Sequence, residues 1–412
     1  MTVSTPGSSE PSPEAPASSR AASLAAWLGL ERNVVAVSAA MFAMALGEQM
    51  WRRFLPKYLE SLGAPIVAIG AYGTAEDFLD GIYQYPGGWI ADHYGRRRAL
   101  LLFVGLAAIG YAIIAVAPLW PVVVLGLVFT MAWTSMASPS LFAVIGDALP
   151  RNRRAMGFSV QAILRRVPIV VAPTIGGLLI AAWGTRTGVR AGLACSIVLA
   201  WLTLAVVSRV RLTLPAGGEG VTIRGVWDRL PTPLRRLLVS DIFIRTCDGL
   251  VDVFLVIYAL NVIGISPPQF GLLVGVQSAT AIACYLPVAR LADRIARKPF
   301  VIATFLAFSA FPLAVITSRS FPALILAFVV GGLREIGEPA RKALILDLAV
   351  PEVRARSIGL YYLLRSVAIA PAALIGGLLW RTAPAIPFVT AGVMGLIGTT
   401  LFALTVDERH AG

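Results

Sequence analysis

The sequence predicts an all-α integral membrane protein: twelve transmembrane helices in two pseudo-symmetric six-helix bundles. Three observations predict it. Apolar runs of 18 or more residues recur along the chain, each long enough to cross roughly 30 Å of hydrocarbon as a helix. The chain repeats itself at an offset near 200 residues. Arginines gather in alternate loops, the asymmetry that orients membrane proteins. Composition agrees, with 57% hydrophobic and 14% charged residues and a mean hydropathy of +0.78. A soluble protein that merely buries a core does not reach such values.

Residues 1–25 open the chain with Ser, Pro, Ala and Thr. They contain no apolar h-region and no early basic cluster, so they read as a disordered cytoplasmic tail and not a cleaved signal. The N-terminal bundle, 26–210, is expected to hold spans near 33–58, 65–91, 98–117, 120–147, 155–182 and 188–210. Residues 211–233 form the longest polar stretch, with Gly217, Gly218 and arginines in or beside it, and read as a cytoplasmic linker. The C-terminal bundle, 234–406, is expected to hold spans near 234–262, 267–292, 299–317, 321–347, 355–380 and 384–406, before a tail at 407–412.

Loops after even-numbered spans carry Arg96–Arg98, Arg151, Arg153, Arg154, Arg294, Arg297, Lys298, Arg354 and Arg356. Loops after odd-numbered spans offer scattered charges: Lys57, Arg186, Arg190, Arg319 and Arg381. Both termini are therefore expected in the cytoplasm, and the protein in the plasma (inner) membrane. The +13 net charge serves topology and anionic lipid, not nucleic acid. Cys195, Cys247 and Cys284 all lie in apolar runs and form no C-x-x-C pair, so they read as small buried side chains.

The repeat is specific. Phe54 and Tyr58 match Phe254 and Tyr258, and Pro139 matches Pro339, at an offset of 200. Asp147, Arg165 and Gly176-Gly177 recur as Asp347, Arg365 and Gly376-Gly377, while Asp92 with its arginines recurs as Asp293 with Arg294, Arg297 and Lys298.

Between spans 2 and 3 stands Gly88-Trp-Ile-Ala-Asp92-His-Tyr-Gly95-Arg96-Arg97-Arg98. Its G-x-x-x-D-x-x-G-R-R pattern resembles the loop between helices 2 and 3 of the major facilitator superfamily of transporters. That resemblance implies two parallel six-span repeats, each holding nested inverted repeats. It also implies a conformational gate at Gly88, Asp92, Gly95, Arg96 and Arg97, with Asp293 as the repeat mate. Asp92 is expected to accept from Arg96 and to lie near Ser357 to Gly359 at the start of span 11. Ala172-Pro-Thr-Ile-Gly-Gly177 is similar to the G-P-x-x-G-G motif of the antiporter branch, with alanine at its first position. The span-4 arginine of many drug–proton antiporters is missing between Phe129 and Ser135; Arg334 in span 10 is the candidate substitute.

Charges inside spans should face a bundle interior or a water-filled cavity. Glu48 lies in span 1 and its mate Asp248 in span 7, while Glu76, Asp77, Asp80 and Tyr83 share a face of span 2. A carboxylate in an apolar cavity holds its proton more tightly, and an approaching arginine loosens it. Glu48, Asp77, Asp80 and Asp248 are therefore the proton-coupling candidates. Paired guanidinium donors suit an anionic group, and flat amphipathic rings suit an organic body. Arg52, Tyr83, Trp133, Arg165, Arg166, Arg334, Glu335, Glu338, Tyr361 and Arg365 are the substrate-binding candidates. The plain alternative for each is a structural ion pair or packing.

The expected function is secondary active transport: proton-coupled export of a small organic or amphiphilic compound by alternating access. A proton symporter importing an organic anion is the alternative, favoured by the membrane arginines. A polytopic membrane enzyme is a further one. Asp77-x-x-Asp80 could hold a metal–diphosphate, but only His93 and His410 exist, both outside the spans, and no second Asp-rich motif accompanies it. No G-x-x-x-x-G-K loop is present, so ATP drive from this chain is not expected; nor is a catalytic residue, metal or cofactor. The expected partners are a small-molecule substrate, protons and the lipid bilayer, with no nucleic acid, and the expected assembly is a monomer.

Overall fold

A computed structural model describes residues 32–137, 154–209, 231–294, 297–348 and 354–406. The residues described are all-helical, and their helices follow the expected order of spans. Span 1 runs Arg32–Trp51, Arg52–Phe54 and Leu55–Ser61 in three pieces, span 2 is Ile66–Tyr94 and span 3 is Arg96–Val116. Span 4 begins Trp120–Met131 and continues through Ala132–Met136. Spans 5 and 6 share the run Arg154–Val207, divided where Gly184 takes φ 79° and ψ 165°. Only glycine holds that left-handed φ without strain, so one residue turns the chain back.

The second half repeats the scheme. Span 7 is Thr232–Gly249 followed by short pieces to Ile263, span 8 is Pro267–Arg294 and span 9 is Lys298–Thr317. Span 10 divides into Phe321–Leu333 and Glu338–Leu348, span 11 into Arg354–Ile369 and Ala372–Trp380, and span 12 is Ile386–Thr405. The tails, most of the linker, the end of expected span 4 with the loop after it (138–153), and residues 295–296 and 349–353 lie outside the described residues.

Six of the described helices are long and apolar enough to cross a membrane, and Arg166–Val207 holds two spans. Spans 4 and 10 reach only shorter apolar lengths because they are interrupted.

Gly95, with φ 87°, ends span 2, and the three arginines after it open span 3. At the opposite end of the molecule the connections are brief: Leu62–Pro65, Ala117–Leu119, Gly184, Gly264–Ser266, Ser318–Ser320 and Arg381–Ala385. Two of the arginines predicted there have a structural use. Arg186 donates to the Ser61 carbonyl, and Arg190 donates to the Ala117 carbonyl (2.9 Å) and to the Tyr58 hydroxyl (3.2 Å). They satisfy carbonyls at helix ends, where an intrahelical partner is lacking.

At this arginine-poor end the two halves meet through glycines. A methyl group on Gly177 of span 5 would strike the Pro267 carbonyl of span 8, and one on Gly271 of span 8 would strike the Pro173 carbonyl of span 5. Gly70 of span 2 lies under the Ala373 carbonyl of span 11, and Gly377 of span 11 lies beside Ile66 and Val67 of span 2. Each contact is the repeat mate of another. Small residues let helix backbones approach closely in lipid, where no hydrophobic force drives helices together.

Candidate functional site

The four innermost spans are broken at matching depths. Arg52–Phe54 in span 1 and Asp252–Phe254 in span 7 tighten to 3-10 turns, 200 residues apart. Ala132–Met136 of span 4 widens to a π turn, and Arg334–Gly337 of span 10 tightens to turns that bond back three residues. None of these breaks contains a proline. Irregular backbone at membrane depth is tolerated where it lines a cavity or is buried in protein. A cavity of about 510 Å³ lies between the breaks of spans 1, 4 and 7 and spans 2 and 11. That is the size that takes a small organic molecule.

The wall from the first half is acidic. Arg52 donates from Nη1 to Glu48 Oε1 (2.5 Å) and from Nη2 and Nε to Glu76 Oε1 (2.5 and 3.1 Å). Two carboxylates thus share one guanidinium, and Glu48 is buried behind it, 7% exposed. Asp77 lines the cavity with no hydrogen bond or ion pair among the described residues. The charges that act on it most strongly are other carboxylates: Glu76, Asp252, Asp248 and Asp80. Asp80 accepts from the Ser135 hydroxyl at 2.6 Å and likewise meets no cation.

The wall from the second half is compensated. Arg334 donates to Asp248 and lies over the Phe311 and Phe308 rings, 4.4 and 5.1 Å from their centroids. Asp241, fully buried, takes Arg341 (2.6 Å), Tyr361 (3.0 Å) and Arg365 (3.3 Å) on its Oδ2, leaving Oδ1 bare. Glu338 accepts from Arg341 (2.7 and 3.0 Å) and from Arg245 (3.2 Å). Such pairing is what makes buried charge tolerable, since each ion alone would lose its hydration uncompensated.

Among the described residues, ion pairs cross between the halves. Arg53 of span 1 reaches Asp252 of span 7 at 3.2 Å, and Arg166 of span 5 reaches Glu335 of span 10 at 3.5 Å. Near the first, Lys57 and Glu60 both bond Asn261, at 2.5 and 2.7 Å.

Of the sequence candidates, Arg52, Asp77, Asp80, Asp248 and Arg365 line the cavity. Glu48, Arg334 and Glu338 stand behind that lining and bond partners on it, while Tyr361 bonds Asp241, which in turn holds the lining residue Arg365. Trp133 is buried in the apolar core, Tyr83 is packed against it, and Arg166 and Glu335 pair apart from the lining residues. The side chains of Arg165, Asp92, Arg96 and Asp293, the surroundings of Gly88, and the side chains of Ser357 to Gly359 lie outside the described residues. The expected Asp92 contacts lie there too. Gly95 occupies its expected turn, and Arg97 donates to the Ser208 carbonyl.

Sequence reasoning did not single out Arg53, Ser135 or Gln49, all of which bear on the cavity. Arg53 carried a signal, because an opposite charge, Asp252, stands 199 residues on. Ser135 carried none, for a lone serine in an apolar run has many uses.

Comparison with known proteins extends the picture. The family model described as Major Facilitator Superfamily matches residues 37–246 and again 237–412. An uncharacterized MFS-type transporter of Methanocaldococcus jannaschii is 21% identical over 380 residues, covering 90% of this chain and 94% of that protein. The multidrug resistance protein MdtH of Photorhabdus laumondii is 24% identical over 367 residues, covering 84% and 87%. Among solved structures, a POT family transporter in complex with 5-aminolevulinic acid superposes with a TM-score of 0.73 at 14% identity, covering 90% and 96%. The nucleoside transporter NupG superposes with a TM-score of 0.73 at 12% identity, covering 91% and 98%. At such identities these two structures speak for the fold alone.

Proposed function

The chain belongs to the Major Facilitator Superfamily, and on that premise we propose that it exports a small organic compound in exchange for protons across the plasma membrane. The observation that carries this reading is Asp77, a cavity carboxylate with carboxylates around it and no cationic partner among the described residues. A negative group in so confined a place must be neutralised before the cavity can close over it, because an unpaired buried charge is costly. A proton can neutralise it, and so can a cationic group on cargo, but not both at once. Asp80, one helical turn along the same face, offers the second position.

Exchange follows from that competition. With the arginine-rich loops in the cytoplasm, the described state is sealed on the outer side and receives cargo from within. Cargo binding displaces protons from Asp77 and Asp80 to the cytoplasm. The loaded carrier rocks about the cavity, cargo leaves outside, and protons take its place for the return. Each ligand does no more than stabilise the states it prefers.

The test is gradient-driven efflux of a fluorescent amphiphilic cation such as ethidium from proteoliposomes, compared with its exchange at equal pH. Asp77→Asn and Asp80→Asn, each of which keeps one of the two carboxylates, are expected to retain exchange at saturating cargo while uphill efflux falls at least about tenfold. Exchange needs only binding and alternating access; net uphill flux needs proton turnover. Undiminished uphill efflux in both variants would remove the proposed coupling.

A further inference from the structure

The charges around the cavity are sorted by half. The first half brings Glu48, Glu76, Asp77 and Asp80 against Arg52 and Arg53, leaving the wall net negative. In the second half Arg245, Arg341 and Arg365 surround Asp241 and Glu338, three guanidinium groups against two carboxylates, while the lining carboxylates Asp248 and Asp252 are already taken by Arg334 and Arg53. Arg245 and Arg365 are the members that line the cavity.

The unmet hydrogen-bonding atoms are sorted the same way. Among described cavity-lining residues, three side chains hold a buried polar atom without a partner: Gln49, Arg245 and Arg365. On the first wall the orphan is an acceptor, Gln49 Oε1. On the second wall the orphans are donors, the two guanidinium Nε–H groups. Buried polar atoms are seldom left unpaired, so three on one cavity call for a ligand with the complementary pattern. Stacking limits where the two arginines can turn: Arg245 lies 5.2 Å from the Phe308 ring centroid and Arg365 lies 4.7 Å from that of Tyr362.

We propose that the cargo is a zwitterion, its cationic group held by Asp77, Asp80 and Gln49 and its anionic group by Arg245 and Arg365. A purely cationic cargo would satisfy the acidic wall and leave the guanidinium donors unmet. A purely anionic one would pair with the arginines and leave Asp77 and Asp80 uncompensated. A molecule bearing both groups meets both walls, and bidentate guanidinium geometry suits a carboxylate, phosphonate or sulfonate at the anionic end. The cavity volume of about 510 Å³ limits it to a small organic molecule. This inference rests on the cavity being the cargo site, and it deepens the proton-exchange reading: the cationic group of the cargo is what competes with the proton.

The test is equilibrium binding to the purified full-length protein, by calorimetry, with three scaffolds: tryptophan, phenylalanyl-phenylalanine and 8-aminooctanoic acid. Each is used as the zwitterion, as its methyl ester (cation only) and as its N-acetyl derivative (anion only). At least one scaffold is expected to bind about tenfold more tightly as the zwitterion than as either masked form. For that scaffold Asp80→Asn is expected to abolish the advantage over the N-acetyl form. Arg245→Gln is expected to abolish the advantage over the ester, and Arg245→Lys to restore part of it. The wild-type panel decides the matter even if a variant fails to fold. Esters binding as tightly as zwitterions on every scaffold would overturn the proposal, and so would equal binding of N-acetyl forms or no binding by any of the nine compounds. A pH indicator in the same cell separates the two readings. Proton release on ester binding without zwitterion preference sinks this inference and keeps proton exchange; zwitterion preference without proton release does the reverse.

Discussion

The two halves share a backbone plan and differ in what they do with charge. Span 1 and span 7 break at the same place, and span 4 and span 10 break at corresponding places. Yet every carboxylate described on the second wall meets a guanidinium, while Asp77 and Asp80 on the first wall meet none. The mates of these two aspartates, at the offset of 201 that joins Pro86 to Pro287, are Ser278 and Ala281. Glu48 becomes Asp248, whereas Arg52 becomes Asp252. The repeat thus keeps geometry and exchanges chemistry. One half is built as a stable polar core, the other as a site with charge to spare for a ligand.

The largest expected effect lies in the compensated half. Arg341 is 1% exposed and holds both Asp241 and Glu338. Arg341→Gln leaves those carboxylates short of a cation in the interior, a loss of about 3–5 kcal/mol. The melting temperature in detergent should fall sharply or the protein should fail to accumulate. Asp77→Asn, by contrast, removes a charge that has only like charges near it, so its melting temperature should equal or exceed that of wild type. Equal destabilisation by the two substitutions would break the contrast between the walls.

Next come the glycines of the seal. Gly177→Ala and Gly271→Ala each place a methyl against a backbone carbonyl, which cannot swing aside as a side chain can. The collision exists only when the arginine-poor end is shut, so the equilibrium shifts toward molecules open there. Transport should fall by about tenfold or more while the fold persists. A Gln49→Cys probe, in a background lacking Cys195, Cys247 and Cys284, should label faster from that side. Gly377→Ala should act more weakly, for its methyl would stand 3.1 Å from the Ile66 carbonyl. Unchanged labelling in Gly177→Ala would show that the seal tolerates displacement.

The smallest effect belongs to the Arg53–Asp252 pair, whose side chains are 39% and 44% exposed. Solvent screens such a pair, and its loss should shift the same equilibrium by no more than about 1 kcal/mol. Arg53→Gln should therefore change labelling a few-fold at most. A shift as large as that from Gly177→Ala would make this ion pair, and not the glycine packing, the main lock.

Much of the fold was legible because its signals are local or periodic. Apolar length marks a span, and one offset relates Phe54 to Phe254 and Gly176-Gly177 to Gly376-Gly377. The interruptions of spans 1, 4 and 10 stand one turn ahead of Pro56, Pro139 and Pro339, which cannot donate back to the preceding turn. That of span 7 at Asp252–Phe254 has no such residue and was not legible. The same limit applied to partners. Spacing brought Glu48 to Arg52, four residues away on one helix, but could not bring Ser135 to Asp80 or Arg341 to Asp241. Nor could it tell a lone charge from a compensated one, because that distinction depends on which helices face each other.

The brevity of the connections at the arginine-poor end has a practical consequence. Apart from helix ends, that face presents runs such as Ala117–Leu119, Gly264–Ser266 and the lone Gly184. A protease needs several residues of accessible, extended chain in its cleft, and an antibody needs a projecting surface; of these connections only Arg381–Ala385 reaches five residues. An epitope tag inserted there would have to interrupt a turn that fixes two helices at once. Gly63 and Gly264 have open space around them, but their φ values of 85° and 82° resist any replacement by an L-residue. Tags, protease sites and antibody epitopes for following this protein in cells therefore belong at the opposite face.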